Sequence, residues 1–106
     1  MVEFTFDATA KVLTCRLTAR MDALNSQVVE KRLQEKLAEP DVQAVGRELR
    51  IVFDLCGVDY IASAFLRVCL STAKKLEKGH FSMINCLPMV KKIFKISGFD
   101  KMFTIS

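Results

Sequence analysis

The spacing of apolar residues changes character along this chain, and those changes limit the fold more than any single motif does. Val2-Glu3-Phe4-Thr5-Phe6-Asp7 alternates apolar and polar residues, and so does Leu13-Thr14-Cys15-Arg16-Leu17. Residues two apart on an extended chain share a face, so each segment reads as a strand with one buried side. The polar link Asp7-Ala8-Thr9-Ala10 between them is short enough for a hairpin. After Asp22 the spacing lengthens. Val29, Leu33 and Leu37 recur every four residues among Glu30, Lys31, Arg32, Gln34, Glu35 and Lys36. That is an amphipathic helix, with Asn25 or Ser26 available as its cap and its end set before Pro40. Asp41 to Glu48, which contains Gly46, reads as a connecting loop.

Ile51-Val52-Phe53 is a near-continuous apolar run, as expected of a parallel strand buried on both faces, with Asp54 near its C-terminal end. In open α/β sheets that end is where ligands and partners meet the fold. A second helix follows, with Leu66, Leu70 and Ala73 as its apolar stripe, joined by Cys69 and Leu76. Lys74, Lys75 and Lys78 then precede Gly79, which suits the negative end of a helix dipole. Phe81 to Cys86 reads as a strand. Pro88 can occupy the first turn of a third helix, with Val90, Ile93 and Phe94 inward, Lys91, Lys92 and Lys95 outward, and Gly98 closing it. Met102 to Ile105 offers a last short strand. The order β-β-α-β-α-β-α-β over residues 1–106 is that of one α/β domain.

The chemistry that such a fold often carries has no motif here. Gly46, Gly57, Gly79 and Gly98 stand alone, so there is no glycine-rich phosphate loop, and no Gly-x-Ser-x-Gly elbow occurs. The one histidine, His80, sits in a turn, and Cys15, Cys56, Cys69 and Cys86 form no Cys-x-x-Cys pair. No metal, cofactor or catalytic residue is expected from these features, and the cysteines read as free, mostly buried small hydrophobes. The chain lacks the run of about 20 apolar residues that would span a bilayer, and its beginning lacks a secretory pattern, so a cytoplasmic location without membrane insertion is expected. Charge is uneven: residues 1–60 carry a net −2 and residues 61–106 a net +6. A basic half could meet an acidic protein, a nucleic acid or a membrane surface, but aromatic residues do not interleave with its lysines as single-strand binding requires, and no nucleic-acid role is expected.

The segment from the third strand into the second helix carries a resemblance. Asp54-Leu55-Cys56-Gly57-Val58-Asp59-Tyr60-Ile61 is close to the Asp-Leu-Ser-x-Val-x-Phe-Ile of the STAS family, the domain of bacterial anti-sigma-factor antagonists and of sulfate-transporter tails. Leu17-Thr18-Ala19-Arg20-Met21-Asp22-Ala23 is similar to that family's segment ending in Leu-Asp-Ala. Val90 to Phe103 resembles its closing helix, glycine and final strand. The resemblance implies a single STAS-like domain with a mixed sheet of about four to five strands and about four helices. It also implies a protein-binding regulator with no enzymatic activity, whose partner is an anti-sigma factor with serine-kinase activity. A phosphatase would act as the resetting enzyme, and weak homodimers stay open. In the family, Phe-Ile is followed by Asp-Ser-Ser/Thr-Gly-Leu, and the serine after Asp is phosphorylated. Aligned here, Ser63 takes that serine's position and Leu66 the leucine's, whereas Ala62, Ala64 and Phe65 replace Asp, Ser/Thr and Gly. The implied docking surface is the Asp22–Asn25 segment, Asp54, and Ala62, Ala64, Phe65, Leu66 and Arg67 around Ser63.

Local physics leaves two roles for each key residue. Ser63 opens the second helix, so its hydroxyl could simply cap it by accepting from an amide two or three residues on. A phosphate there would instead meet unpaired amides and the positive end of the helix dipole. Phe65, at the edge of the Leu66–Leu70–Ala73 stripe, is expected to be partly exposed, either as an anchor for a partner's pocket or as core. Asp54 is either a functional carboxylate or a strand-end residue bonding nearby backbone, and Asp22 is judged likewise as a cap ahead of the first helix. A non-switching adaptor subunit of a transporter or signalling complex is the alternative to an antagonist. Binding of a nucleotide or lipid is demanded by no residue.

Overall fold

In a computed structural model describing residues 1–106, five strands form one sheet in the spatial order of the chain. β1 (Val2–Asp7) pairs antiparallel with β2 (Val12–Leu17), and β3 (Arg50–Asp54), β4 (Phe81–Ile84) and β5 (Thr104–Ile105) follow in parallel. The parallel strands need crossovers, and helices supply them. α1 (Ala23–Leu37) and α2 (Pro40–Gln43) link β2 to β3, α3 (Ser63–Lys74) links β3 to β4, and α4 (Pro88–Ile96) links β4 to β5. The mixed α/β architecture expected from the residue pattern is the one found. No helix is long and apolar enough to cross a membrane.

The hairpin link is built as its residues suggest. Asp7 Oδ1 accepts from the amides of Thr9 and Ala10, each at 3.0 Å, and Lys11 takes the left-handed conformation that closes the turn. The stretch after α1 is more ordered than a loop. Pro40 ends one helix and, needing no amide partner in a first turn, begins another. Val42 is thereby carried into the core, and a short 3-10 turn spans Gly46–Glu48.

Register explains the core. Leu13, Ile51 and Phe81 are neighbours across the sheet, as are Cys15, Phe53 and Met83, and all six are buried. Thr14, Val52 and Ser82 form the alternate row and are only half-buried. The expectation that β3 is buried on both faces is therefore corrected: one face is closed and the other partly open. Val52 is tolerated there because β-branched side chains suit a pleated surface even when half-wet.

Six of the eight phenylalanines make a closed circuit. Phe53 meets Phe65 at 6.1 Å between ring centroids, and the chain of contacts runs on through Phe94, Phe99, Phe103 and Phe81 back to Phe53. This circuit sets the phase of α3. Phe65, Val68, Cys69 and Thr72 face inward, while Leu66, Leu70 and Ala73 are half-buried at the flank. The stripe expected on Leu66, Leu70 and Ala73 is thus rotated. Nearly every residue from Ala64 to Leu70 is apolar, so periodicity alone offers two overlapping faces, and the bulk of the Phe65 ring selects between them. Thr72 stays satisfied in the core by donating to Val68 O at 2.7 Å.

Two further features differ from expectation. Val90 and Phe94 of α4 are fully buried, but Ile93 is exposed with Met89 and Ile96. The last strand is shortened to Thr104–Ile105 because Gly98, at φ +79°, turns the chain into a 3-10 segment that leaves Met102 exposed.

Candidate functional site

Two segments leave neighbouring strands at the same edge of the sheet. The one after β2 (residues 18–22) leads into α1, and the one after β3 (residues 55–62) leads into α3. Their backbones are joined as a miniature parallel ladder: Met21 N donates to Tyr60 O and Ala62 N donates to Met21 O, both at 2.9 Å. Met21, Leu55, Val58 and Ile61 turn into the core and hold both segments down. Gly57 lets them approach, since a Cβ there would lie 3.0 Å from Thr18 Cα. The ladder sets Asp22 beside Ala62, and so two helix starts stand side by side.

Asp22 is the N-cap of α1. Its Oδ1 accepts from Asn25 N at 2.8 Å, satisfying one of the amides a helix start leaves free. Asn25 Nδ2 donates to Arg20 O at 2.7 Å. The cap is therefore Asp22, not Asn25 or Ser26; Ser26 is carried into the helix and buried.

Ser63 does not cap α3. The N-cap is Ala62, in extended conformation because it is held in the ladder, and Ser63 falls one place inside the helix. Its hydroxyl makes no bond within the chain, its side chain is exposed, and the amides of Ser63 and Ala64 have no acceptor in the protein. Of the two roles open to this serine, capping is the one the fold withholds. Ala62, Ala64 and Leu66 are half-buried around it, and Arg67 is exposed one turn on.

Phe65 is not at the surface. It is fully buried between Phe53 and Phe94, at centroid distances of 6.1 and 6.5 Å, so the expectation of partial exposure is overturned. A ring at this position gains more from the aromatic core than from water, and α3 turns to give it that place.

Asp54 has a different neighbourhood. Its Oδ1 accepts from Cys56 N and from Asn85 Nδ2, each at 3.1 Å, which ties the ends of β3 and β4 together; it bonds neither Ser63 nor Asp22. Burial, the largest single influence, resists its ionisation. The bonds from Asn85 and Cys56 and the nearby Arg16 charge together outweigh burial and hold the carboxyl below its ordinary range. The cysteines divide: Cys15 and Cys69 are buried, Cys86 is half-buried and Cys56 is exposed, so the last is no core residue.

Around the helix starts the surface carries features the sequence pattern did not single out. Leu24 is 68% exposed and Val28 36%, one turn apart on the outer face of α1, and Tyr60 lies under the Arg20 guanidinium at 4.5 Å. Their signal is the four-residue spacing Leu24–Val28, which runs out of phase with Val29–Leu33. Between α1 and α3 runs a groove of about 340 Å³ whose walls include Gln27 and Glu30 on one side and Ala64, Arg67 and Ser71 on the other.

Comparison with known proteins agrees with this architecture. The sequence profile of the STAS domain matches residues 3–106. BtrV of Bordetella bronchiseptica, named as a candidate anti-sigma factor antagonist, is 33% identical over 107 residues that span 99% of this chain and 86% of that protein. An anti-sigma factor antagonist from Mycobacterium paratuberculosis superposes with a TM-score of 0.76 at 19% identity, over 99% of this chain and 85% of that one. The unphosphorylated form of the anti-sigma factor antagonist SpoIIAA superposes at 0.76 and 17% identity, over 100% of this chain and 88% of that one. The phosphorylated form of SpoIIAA, from Bacillus, superposes at 0.68 and 16%, over 100% and 91%.

Proposed function

The chain belongs to the STAS domain family, and from that premise we propose that it is an anti-sigma factor antagonist. It works in the cytoplasm by docking and not by catalysis. The partner is an anti-sigma factor with serine-kinase activity, met by the paired helix starts: Asp22 to Asn25 on one side and Ser63 to Arg67 on the other. Ser63 accepts the phosphate that dissolves the complex, and a phosphatase restores it. The observation that carries the reading is the Met21–Ile61 ladder, which joins the two segments while leaving the Ser63 hydroxyl exposed and without a bond.

The departures from the family pattern weigh less than their number suggests. Phe65 points into the core, so among residues 62–65 only Ala62 and Ala64 alter what a partner could touch. A phosphate on Ser63 would find the free amides of Ser63 and Ala64 and the positive end of the α3 dipole. It would also bring a charge of about −1.5 to −2 onto a surface that had been neutral at that point, which a partner shaped for an uncharged serine would reject. The name of BtrV and the existence of SpoIIAA in phosphorylated and unphosphorylated forms support the same reading.

The test is to isolate the partner from the native host, identify it, and measure its affinity for wild type, Ser63→Ala and Ser63→Asp. Ser63→Ala is expected to bind as wild type does, and Ser63→Asp to bind at least about tenfold more weakly, a loss of about 1.4 kcal/mol. Equal affinity of all three would end the switch and favour a fixed adaptor.

A further inference from the structure

Resting on the reading of Ser63 as a phosphoacceptor, we propose that Arg67 is the internal counter-charge of the switch. In the phosphorylated protein its guanidinium binds the Ser63 phosphate, and the cation is thereby withdrawn from the mouth of the groove between α1 and α3. Ser63 and Arg67 are four residues apart on α3, the separation at which helical side chains meet, and both are exposed. Arg67 is free to move: it takes part in none of the chain's three ion pairs, which join Lys11 to Glu48, Lys36 to Glu39 and Arg47 to Glu77. Glu30 of α1 lines the same groove, yet it makes no ion pair with Arg67, and Asp22 at the neighbouring helix start is occupied as a cap.

The chemistry of the two groups matches. A kinase transfers the terminal phosphoryl group of a nucleoside triphosphate to Ser63 Oγ. The new O–P bond forms as the bond to the leaving nucleoside diphosphate breaks, and the hydroxyl proton passes through the kinase's base to solvent. The product presents three acceptor oxygens, and the guanidinium fork bonds two of them at once. Before transfer, the exposed start of α3 shows a neutral serine and a free cation. After it, the cation is paired, and the site keeps a net charge of about −1. The modification thus removes one attraction for an acidic partner side chain and adds one repulsion.

The experiment uses the full chain with phosphoserine installed at position 63 during translation, so that no kinase is needed. The phosphate is titrated by phosphorus NMR in wild type, Arg67→Gln and Arg67→Lys. A phosphate facing Arg67 ionises more readily, so its second pKa is expected to lie at least about 0.3 of a pH unit lower in wild type than in Arg67→Gln. Arg67→Lys is expected between them, because a point charge replaces the fork. Superimposed curves for wild type and Arg67→Gln would overturn the assignment of Arg67. A failure of the phosphoacceptor reading shows separately, as Ser63→Asp binding the partner like wild type.

Discussion

Replacing Phe65 by alanine tests where this side chain lies. In the structure its ring is fully buried and touches Phe53 and Phe94, two members of the aromatic circuit that joins β3, α3 and α4. Burying a phenylalanine side chain is worth about 1.5–3 kcal/mol in transfer free energy alone. Each aromatic pair adds about 0.5–1.5 kcal/mol, and the vacated space cannot collapse without moving the sheet or the helices. The expected cost is therefore about 3–5 kcal/mol, the range seen for such truncations in well-packed cores. Against a total stability of about 5–15 kcal/mol this is a large fraction. The assay is urea unfolding followed by far-ultraviolet circular dichroism. With a slope of about 2 kcal/mol per molar urea, the midpoint is expected to fall by about 2 M with the slope unchanged. Phe65→Leu, which keeps most of the apolar volume, is expected to lose less than half as much. A midpoint within about 0.3 M of wild type for Phe65→Ala would mean that the ring contributes no core packing and that α3 does not turn Phe65 inward. An exposed anchor gives the opposite pattern, with stability intact and partner affinity lost.

Two further outcomes follow from the ionisable groups. Asp54 is held below its ordinary value of 3.8 in the folded chain, so its carboxylate stabilises the fold above that value and the contribution is lost as pH falls through the folded pKa. The stability difference between wild type and Asp54→Asn should accordingly shrink on acidification; a difference that is constant with pH would refute the strand-end bonds as its cause. Burial pushes the Cys15 thiol up to about 12 and the Cys86 thiol to about 11, and Cys69 well above its ordinary value. Exposed Cys56 should therefore be alkylated first in the native protein, with Cys15 and Cys69 reacting only on unfolding, and equal rates at Cys56 and Cys69 by mass spectrometry would contradict the packing.

Local patterns made most of the architecture legible. Alternation in β1 and β2, the four-residue spacing of Val29 and Leu33, and Pro88 and Gly98 at the two ends of α4 all act over a few residues, and each appears where its pattern implies. Positions where the pattern admits two solutions were not legible. α3 is apolar around much of its circumference, and its phase depends on where a ring the size of Phe65 finds neighbours from β3 and α4. The start of α3 depends on Ala62 being held by Met21, a residue forty-one positions away. That single bridge makes Ala62 the cap and leaves Ser63 without one. The order of the strands and of the three longer helices, and the kinship of residues 54–61, were thus determined by the sequence itself, because periodicity and short motifs are local properties. Which side chains face the core and which hydroxyl stays exposed and unbonded was decided only in three dimensions, because burial and long-range hydrogen bonds compare segments that the chain keeps far apart.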